Sequence, residues 1–258
     1  MRRGGTVPPV TGLSLQSALR TDVGPVRGNN EDAVFASPRL VAVADGVGGA
    51  AAGEVASRMA IDALAHLDKC RLDRRLEDAL ASAVATGNER IGFLTECRPQ
   101  LAGMSTTVTA VALGDHGYVL ANVGDSRTYL LRDGGLTRLS RDDSYVQMLL
   151  DSGALTPDEA RRHPQRSLVI EVLDGNPRRR PPVVTTAPAQ AGDRLLLCSD
   201  GLSDAVDDEA IAAVLKAGAR DECAERLVAM ALAAGARDNV SVVVADVEPR
   251  RDPAAGWA

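Results

Sequence analysis

The feature that most limits the fold is how short β-branched runs and helix-period stretches are grouped. The helical stretches come in pairs, set between blocks of strands. Apolar runs at 39–44 (RLVAVA), 106–113 (TTVTAVAL), 117–123 (GYVLANV), 127–132 (RTYLLR), 193–198 (DRLLLC) and 240–247 (VSVVVADV) have the length and composition of strands. Asp133-Gly134-Gly135 closes the fourth onto LTRLS as a hairpin, so part of the sheet is antiparallel and the middle of the chain reads as a meander. Residues 53–68 align Val55, Met59, Ala63 and Leu67 on one helical face, and 73–94 align Leu76, Leu80, Val84, Ile91 and Leu94. A second pair spans 208–217 and 221–234. Paired helices fit a doubly wound parallel sheet poorly. They predict an α+β fold with two stacked antiparallel sheets and helix pairs outside each, an α-β-β-α sandwich.

Between about 140 and 178 lies an insert with its own grammar. Thr156-Pro157-Asp158-Glu159 is a capping box with proline in the first helical position. The segment closes in GNPRRRPP and reads as a small helical flap able to touch a substrate. One domain is expected over 13–248, with 1–12 and 249–258 as loose ends.

Composition narrows the function. With 45% hydrophobic and 25% charged residues, disorder is excluded, and with only 2% aromatic the core must be built from Ala, Val and Leu. A formal charge of -6, with Lys69 and Lys216 the only lysines, gives no long-range attraction to nucleic acid or an anionic membrane. Cys70, Cys97, Cys198 and Cys223 show no metal-ligand spacing, which fits a reduced compartment. GGTVPPV interrupts any apolar leader after Arg3, and no apolar run approaches the roughly 20 residues of a membrane span. A cytoplasmic location is expected.

Three of the apolar runs end in aspartate followed by a small residue: Asp45-Gly46, Asp125-Ser126 and Asp200-Gly201. A fourth pair, Asp238-Asn239, opens the last run. One such aspartate is an ordinary turn former. Several at one sheet edge would gather carboxylates with no lysine to neutralise them, and would need cations to stay ionised. Oxygen donors without Cys or His favour Mg²⁺ or Mn²⁺ over zinc. A pair of such ions activates water and clamps a phosphoryl group, which is the chemistry of phosphate-ester hydrolysis.

The strings TDVGPVRGNNEDA (21–33), VADGVGGAAAGEVAS (43–57), MSTTVTAV (104–111), NVGDSRTYL (122–130), CSDGLSD (198–204) and ARDNVSVVVADV (236–247) occur in an order that resembles the bacterial metal-dependent type 2C serine/threonine protein phosphatases. The insert is similar to the flap of bacterial members. The resemblance implies Asp45 as a carboxylate bridging two ions, with the Gly46 carbonyl on the first, and Asp200 and Asp238 on the second. It implies Glu31 as an acid holding metal or its water, Asp32 as the group orienting that water, and Arg27 as the grip on the substrate phosphate. Asp125, with Asp200, corresponds to a third, weaker metal site. The implied activity is hydrolysis of phosphoserine and phosphothreonine in proteins by a metal-bridging hydroxide with two Mn²⁺ or Mg²⁺ ions. The implied partners are phosphorylated proteins, by analogy a Ser/Thr kinase and its targets.

The chain departs from the family pattern at Val47, where Met or His is common, and at Ala50, where His is common. It departs again in the flap, with Asp143 in place of His and Glu171 in place of Arg. These changes leave no local imidazole to protonate a leaving group, a contribution typically worth about 10²- to 10⁴-fold. An active enzyme is expected. A catalytically weak pseudophosphatase and a phosphoprotein-binding module sharing Arg27 are the alternatives.

Other readings meet specific obstacles. The string 46–51 satisfies G-x-G-x-x-A, but Asp45 would oppose a pyrophosphate and a second helix follows where a dinucleotide fold needs a parallel strand. Neither lysine sits in a P-loop pattern. His66, His116 and His163 are scattered, and no G-x-S-x-G exists for a serine hydrolase. Cys198 reads as a core filler, the 178–180 arginines as a solvated loop, and Ser126 and Ser199 as hydroxyls satisfying backbone groups.

Overall fold

Both faces of the last strand are buried, and they face different partners. Val240, Val242 and Val244 pack with Ile211, Val214, Leu227 and Ala231, whereas Val243, Ala245 and Val247 pack with Val41, Val111, Leu120 and Leu195. A strand with helices on one side and a second sheet on the other can be apolar at every position, which explains the unbroken VSVVVADV.

The computed structural model describes residues 12–47, 52–68 and 75–250. Strands β1 (Leu13–Asp22), β2 (Ala33–Ala36), β3 (Leu40–Ala44) and the short β4 (Gly46–Val47) precede helices α1 (Gly53–Asp68) and α2 (Leu76–Cys97). Then come β5 (Ser105–Thr106), β6 (Val108–Gly114), β7 (Gly117–Val123), β8 (Arg127–Arg132) and β9 (Gly135–Arg138). The flap carries α3 (Tyr145–Asp151) and α4 (Pro157–Arg162). The chain continues through β10 (Val183–Ala187), β11 (Arg194–Cys198), α5 (Asp200–Ser203), α6 (Asp208–Ala217), α7 (Arg220–Ala233) and β12 (Val240–Pro249).

The strands form two five-stranded sheets, ordered β1-β12-β11-β8-β9 and β10-β7-β6-β3-β2, with β4 and β5 paired apart. Three apolar layers hold them. Alternate residues of β3, β6 and β7 face α1 and α2, and the others meet the second sheet. The outer face of that sheet meets α6 and α7. Each fully buried Val or Leu contributes about 1.5–3 kcal/mol, so small residues repeated through three layers build a sufficient core. The two sheets are also joined by a polar pin. Tyr118 of β7 donates to Asp193 Oδ2 at 2.6 Å, and Arg132 of β8 reaches both oxygens of the same carboxylate at 2.6 Å.

The α+β sandwich and the four paired helices agree with the sequence expectation. The meander does not. β7 and β8 belong to different sheets, and the chain crosses between them at residues 124–126. Strands β1, β2 and β10 were not expected. The first two have mixed or partial burial and β10 is an edge strand following Pro181-Pro182, so none carries a clean apolar signal. In the flap, Thr156 Oγ1 accepts from Glu159 N while Glu159 Oε2 accepts from Thr156 N at 2.8 Å, as the capping box predicts. Residues 1–11, 48–51, 69–74 and 251–258 lie outside the described residues, and with them Ala50, Lys69, Cys70 and most of both expected loose ends.

Candidate metal and phosphate site

Strand register brings the key aspartates to one edge of the sandwich. Cys198, at the end of β11, is opposite Val242 near the start of β12 and opposite Arg127 at the start of β8, while Asp22, ending β1, is opposite Val240. In the other sheet Val43 is opposite Thr109 and Val108 is opposite Val123. The end of β3, the end of β7, the end of β11 and the start of β12 therefore open on the same side, with the loop after β1 between them. These points carry Asp45, Asp125, Asp200 and Asp238, and the loop carries Arg27, Glu31 and Asp32.

The carboxylates act on one another. Burial raises Asp45 well above the usual carboxylate range, and the charges of Asp32, Asp200, Asp125 and Asp238 raise it further. Asp200 is raised in the same direction by burial and by Asp125, Asp204, Asp238 and Asp32. Asp32 is pushed up to about 6 by burial, against hydrogen bonds from Ser241 and Ser199. Asp125 is pushed up to about 7 by burial and by the charge of Asp142. Groups sharing a site in this way need protons or cations to neutralise them.

Backbone contacts hold the cluster in place. Asp45 N donates to Thr107 Oγ1 at 3.1 Å, and the Asp45 carbonyl accepts from Thr107 N and Thr106 Oγ1, both at 2.9 Å. The Glu31 carbonyl accepts from Ser57 Oγ at 2.6 Å and from Gly46 N at 3.2 Å. Gly46 and Gly53 are pressed together. A Cβ on Gly53 would lie 2.7 Å from Glu31 Oε2 and 2.9 Å from the Gly46 carbonyl oxygen, so only glycine lets that carbonyl and that carboxylate share the space.

The residues fit a divalent cation. The donor set is all oxygen, the mutual repulsion calls for positive charge, and Asp32 Oδ1 and Asp200 Oδ1 are buried with no hydrogen-bond partner. Among the described residues, no three acidic side chains are grouped round one coordination point. Arg27 stands at the rim and donates from Nη2 to Asp238 Oδ2 at 2.5 Å. From Asp125, Asp200 and Asp204 a cavity of about 810 Å³ runs outward between the flap and the start of α6, with no histidine among its lining residues.

The structure thus places Arg27, Glu31, Asp32, Asp45, Gly46, Asp125, Asp200 and Asp238 round one edge. Three contributors escaped the sequence reading. Asp204 adds its charge to Asp125 and Asp200, and its repeat of the Asp-after-small-residue pattern in CSDGLSD was the available signal. Asn239 ties three segments together, its Oδ1 accepting from Glu31 N at 2.8 Å and its Nδ2 donating to the carbonyls of Val23 and Asn29 at 2.9 Å. Thr107 bridges Asp45 to Ser126, hydroxyl to hydroxyl at 2.8 Å.

That last contact corrects the expectation that Ser126 satisfies backbone. Ser199 does both jobs, accepting from Ser241 N at 3.0 Å and donating to Asp32 Oδ2 at 2.9 Å. Arg179 and Arg180 are not simply solvated but pair with Asp174, Glu171 and Asp143. Cys198 is fully buried with its thiol pushed up to about 12 by burial, as a core filler should be. His66 lies in the last turn of α1, His116 lies in a turn, and His163 follows the last residue of α4 with its ring 5.9 Å from that of Tyr145.

Comparison with known proteins bears on this edge. The family model described as protein phosphatase 2C matches residues 28–235. The chain is 52% identical over 235 residues to the serine/threonine protein phosphatase PstP of Mycobacterium tuberculosis, covering 91% of this chain but 45% of that protein, so it spans about half the length of this relative. A crystal structure of the Mycobacterium tuberculosis phosphatase PstP/Ppp superposes with a TM-score of 0.88 at 51% identity, covering 91% of this chain and 99% of that one. The PstP catalytic domain in complex with two manganese ions superposes with a TM-score of 0.85 at 49% identity, covering 92% and 99%.

Proposed function

The chain belongs to the protein phosphatase 2C family, and from that premise we propose that it hydrolyses phosphoserine and phosphothreonine in proteins with divalent metal ions. The observation that carries the reading is the meeting of Asp45, Asp200 and Asp238, from three separate segments, close enough that the charges of Asp200 and Asp238 raise the pKa of Asp45 and the charge of Asp238 raises that of Asp200. Asp45, Gly46, Glu31, Asp200 and Asp238 are assigned to hold two ions, and Asp125 with Asp200 a third. Mn²⁺ and Mg²⁺ both suit the oxygen donors. When bound, such ions make solvent a stronger nucleophile and neutralise charge on the phosphoryl group.

The chain's own groups have separable tasks. Arg27, whose side chain is 44% exposed, offers a planar fork that holds phosphate oxygens in line for attack. Asp32, fixed by Ser199, presents Oδ1 to accept a hydrogen bond from the attacking water. That water forms the new P–O bond as the bond to the Ser or Thr oxygen breaks, and a solvent proton ends on the leaving alkoxide. No imidazole lines the cavity to give it.

The partners assigned are phosphorylated proteins, a Ser/Thr kinase and its substrates among them, in the cytoplasm. Among the described residues no helix is long and apolar enough to cross a membrane. The formal charge of -6 argues against nucleic acid.

The test is manganese-dependent hydrolysis of p-nitrophenyl phosphate and of a phosphothreonine peptide. Turnover that disappears with EDTA and in Asp45→Asn supports the reading. Equal activity with EDTA, or full activity in Asp45→Asn, overturns it. Binding of phosphopeptide without single-turnover release of phosphate would assign the chain to a binding module instead.

A further inference from the structure

One buried amide holds the loop that carries Arg27. Asn239 is 2% exposed, and the hydrogen bonds of its carboxamide all go to the segment between β1 and β2. Nδ2 donates to the carbonyls of Val23 and Asn29, both at 2.9 Å, and Oδ1 accepts from Glu31 N at 2.8 Å. Both amide protons are therefore spent on the two ends of a turn with Arg27 inside it, and the oxygen is spent on the backbone of Glu31.

The loop has few other fixings. No residue from 23 to 30 belongs to a strand or a helix. Its base is closed by Gly24 N, which donates to Asp22 Oδ1 at 2.8 Å, and by Asn30 Nδ2, which donates to Thr21 Oγ1 at 2.7 Å. Gly24, at a φ of +74°, rests on the residue before Asn239, where a Cβ would lie 2.5 Å from the Asp238 carbonyl oxygen. The footing of Asn239 is itself firm. Gly201 is pressed against its carbonyl oxygen so closely that a Cβ has no room, and Asn239 N donates to Asp238 Oδ1 at 2.8 Å.

The two ends of this amide serve different groups. Without Nδ2, the carbonyls of Val23 and Asn29 lose their donor and the turn on either side of Arg27 is released. Without Oδ1, the backbone of Glu31 loses its acceptor. We propose that Asn239 is a positioning residue whose nitrogen aims Arg27 at the substrate phosphate and whose oxygen aims Glu31 at the metal centre. It acts on both through backbone atoms that it holds. The proposal rests on the assignments of Arg27 as phosphate grip and Glu31 as an acid of the metal site.

The test uses the whole chain and three measurements: calorimetric Mn²⁺ affinity, inhibition of p-nitrophenyl phosphate turnover by inorganic phosphate, and KM and kcat for a phosphothreonine peptide at saturating Mn²⁺. Asn239→Asp keeps an oxygen for Glu31 N–H and loses both donors. It should bind Mn²⁺ within about twofold of the unmodified protein while the phosphate inhibition constant and the peptide KM rise about tenfold, with kcat changed less than either, the pattern of lost binding. Asn239→Ala lacks both ends and should weaken Mn²⁺ about tenfold as well. A double-mutant cycle separates aim from charge. In an Arg27→Ala background, Asn239→Asp should raise the phosphate inhibition constant by less than about twofold, because the nitrogen acts through Arg27. A full rise in that background would show that the new carboxylate simply repels phosphate, and overturns the proposal. Unchanged phosphate affinity in Asn239→Asp, or Mn²⁺ and phosphate affinity lost in parallel there, overturns it too, as does unchanged Mn²⁺ affinity in Asn239→Ala. If the Asn239 variants do not fold, Gly24→Ala, which lifts the turn from Asp238 at unchanged charge, should weaken phosphate and leave Mn²⁺ alone, and unchanged phosphate affinity overturns the proposal equally. Phosphopeptide turnover by the unmodified protein, with and without EDTA, is measured in parallel, so failure of the phosphatase reading is visible separately.

Discussion

Arg27 Nη2 and Asp238 Oδ2 are 2.5 Å apart and join the loop after β1 to the residue that leads into β12. The hydrogen bond that it donates to Asp238 holds the Arg27 guanidinium pKa above its ordinary value. Both side chains are partly exposed, at 44% and 30%, so the pair adds little to stability and its value is positional. Arg27→Ala is expected to lower kcat/KM for a phosphothreonine peptide by about 10²- to 10³-fold, the usual cost of losing one aligned donor. Arg27→Lys should recover little, because an ammonium lacks the planar fork. Steady-state kinetics at saturating Mn²⁺, with melting curves to show an unchanged fold, check this.

The carboxylate cluster predicts an unusual pH dependence. Asp32 and Asp125 have pKa values raised to about 6 and about 7, above an unfolded value near 3.9, mainly by burial. Folded protein then binds more protons than unfolded protein, so their contribution is fully present below about pH 4 and is lost as pH rises through 6 and 7. In EDTA, the melting temperature should be higher at pH 5.5 than at pH 8. Mn²⁺ should raise it more at pH 8, where the ions need not displace protons. A melting temperature in EDTA that rises between pH 5.5 and 8 would contradict the site's electrostatics.

Gly53 tests the cradle. An added methyl would sit 2.8 Å from the Gly46 carbonyl carbon and 2.7 Å from Glu31 Oε2, and the backbone on one side cannot yield cheaply. Gly53→Ala should weaken Mn²⁺ binding by about tenfold or more. Far-ultraviolet circular dichroism should stay native. Calorimetric titration with Mn²⁺ reads the outcome.

Stability away from the site should hinge on the Asp193 pin. Its side chain is 2% exposed, and burial, which would raise its pKa, is outweighed by the hydrogen bonds from Arg132 and Tyr118, leaving it lowered. Asp193→Ala leaves Arg132 without its carboxylate and the Tyr118 hydroxyl without its acceptor. A loss of about 3 kcal/mol is expected, the low end for breaking a buried pair because Arg132 is 23% exposed. Urea denaturation measures it. The kcat of the remaining folded enzyme should be unaffected.

Local patterns along the chain already specify the layers and the chemistry of the edge. The unbroken apolar run VSVVVADV, the Leu80, Val84 and Ile91 face of α2, the Asp133-Gly134 turn and the Thr156 capping box all depend on residues within a few positions of one another, and propensity and periodicity carry such information. The strand-end aspartates were legible for the same reason, since a polar residue closing an apolar run marks a sheet edge. Folding in three dimensions is what parts β7 and β8 into different sheets, pairs weakly patterned β1 along its whole length with β12, and lets Asn239 brace Glu31 from 208 residues away. These depend on which distant surfaces bury one another, and no local pattern encodes that choice.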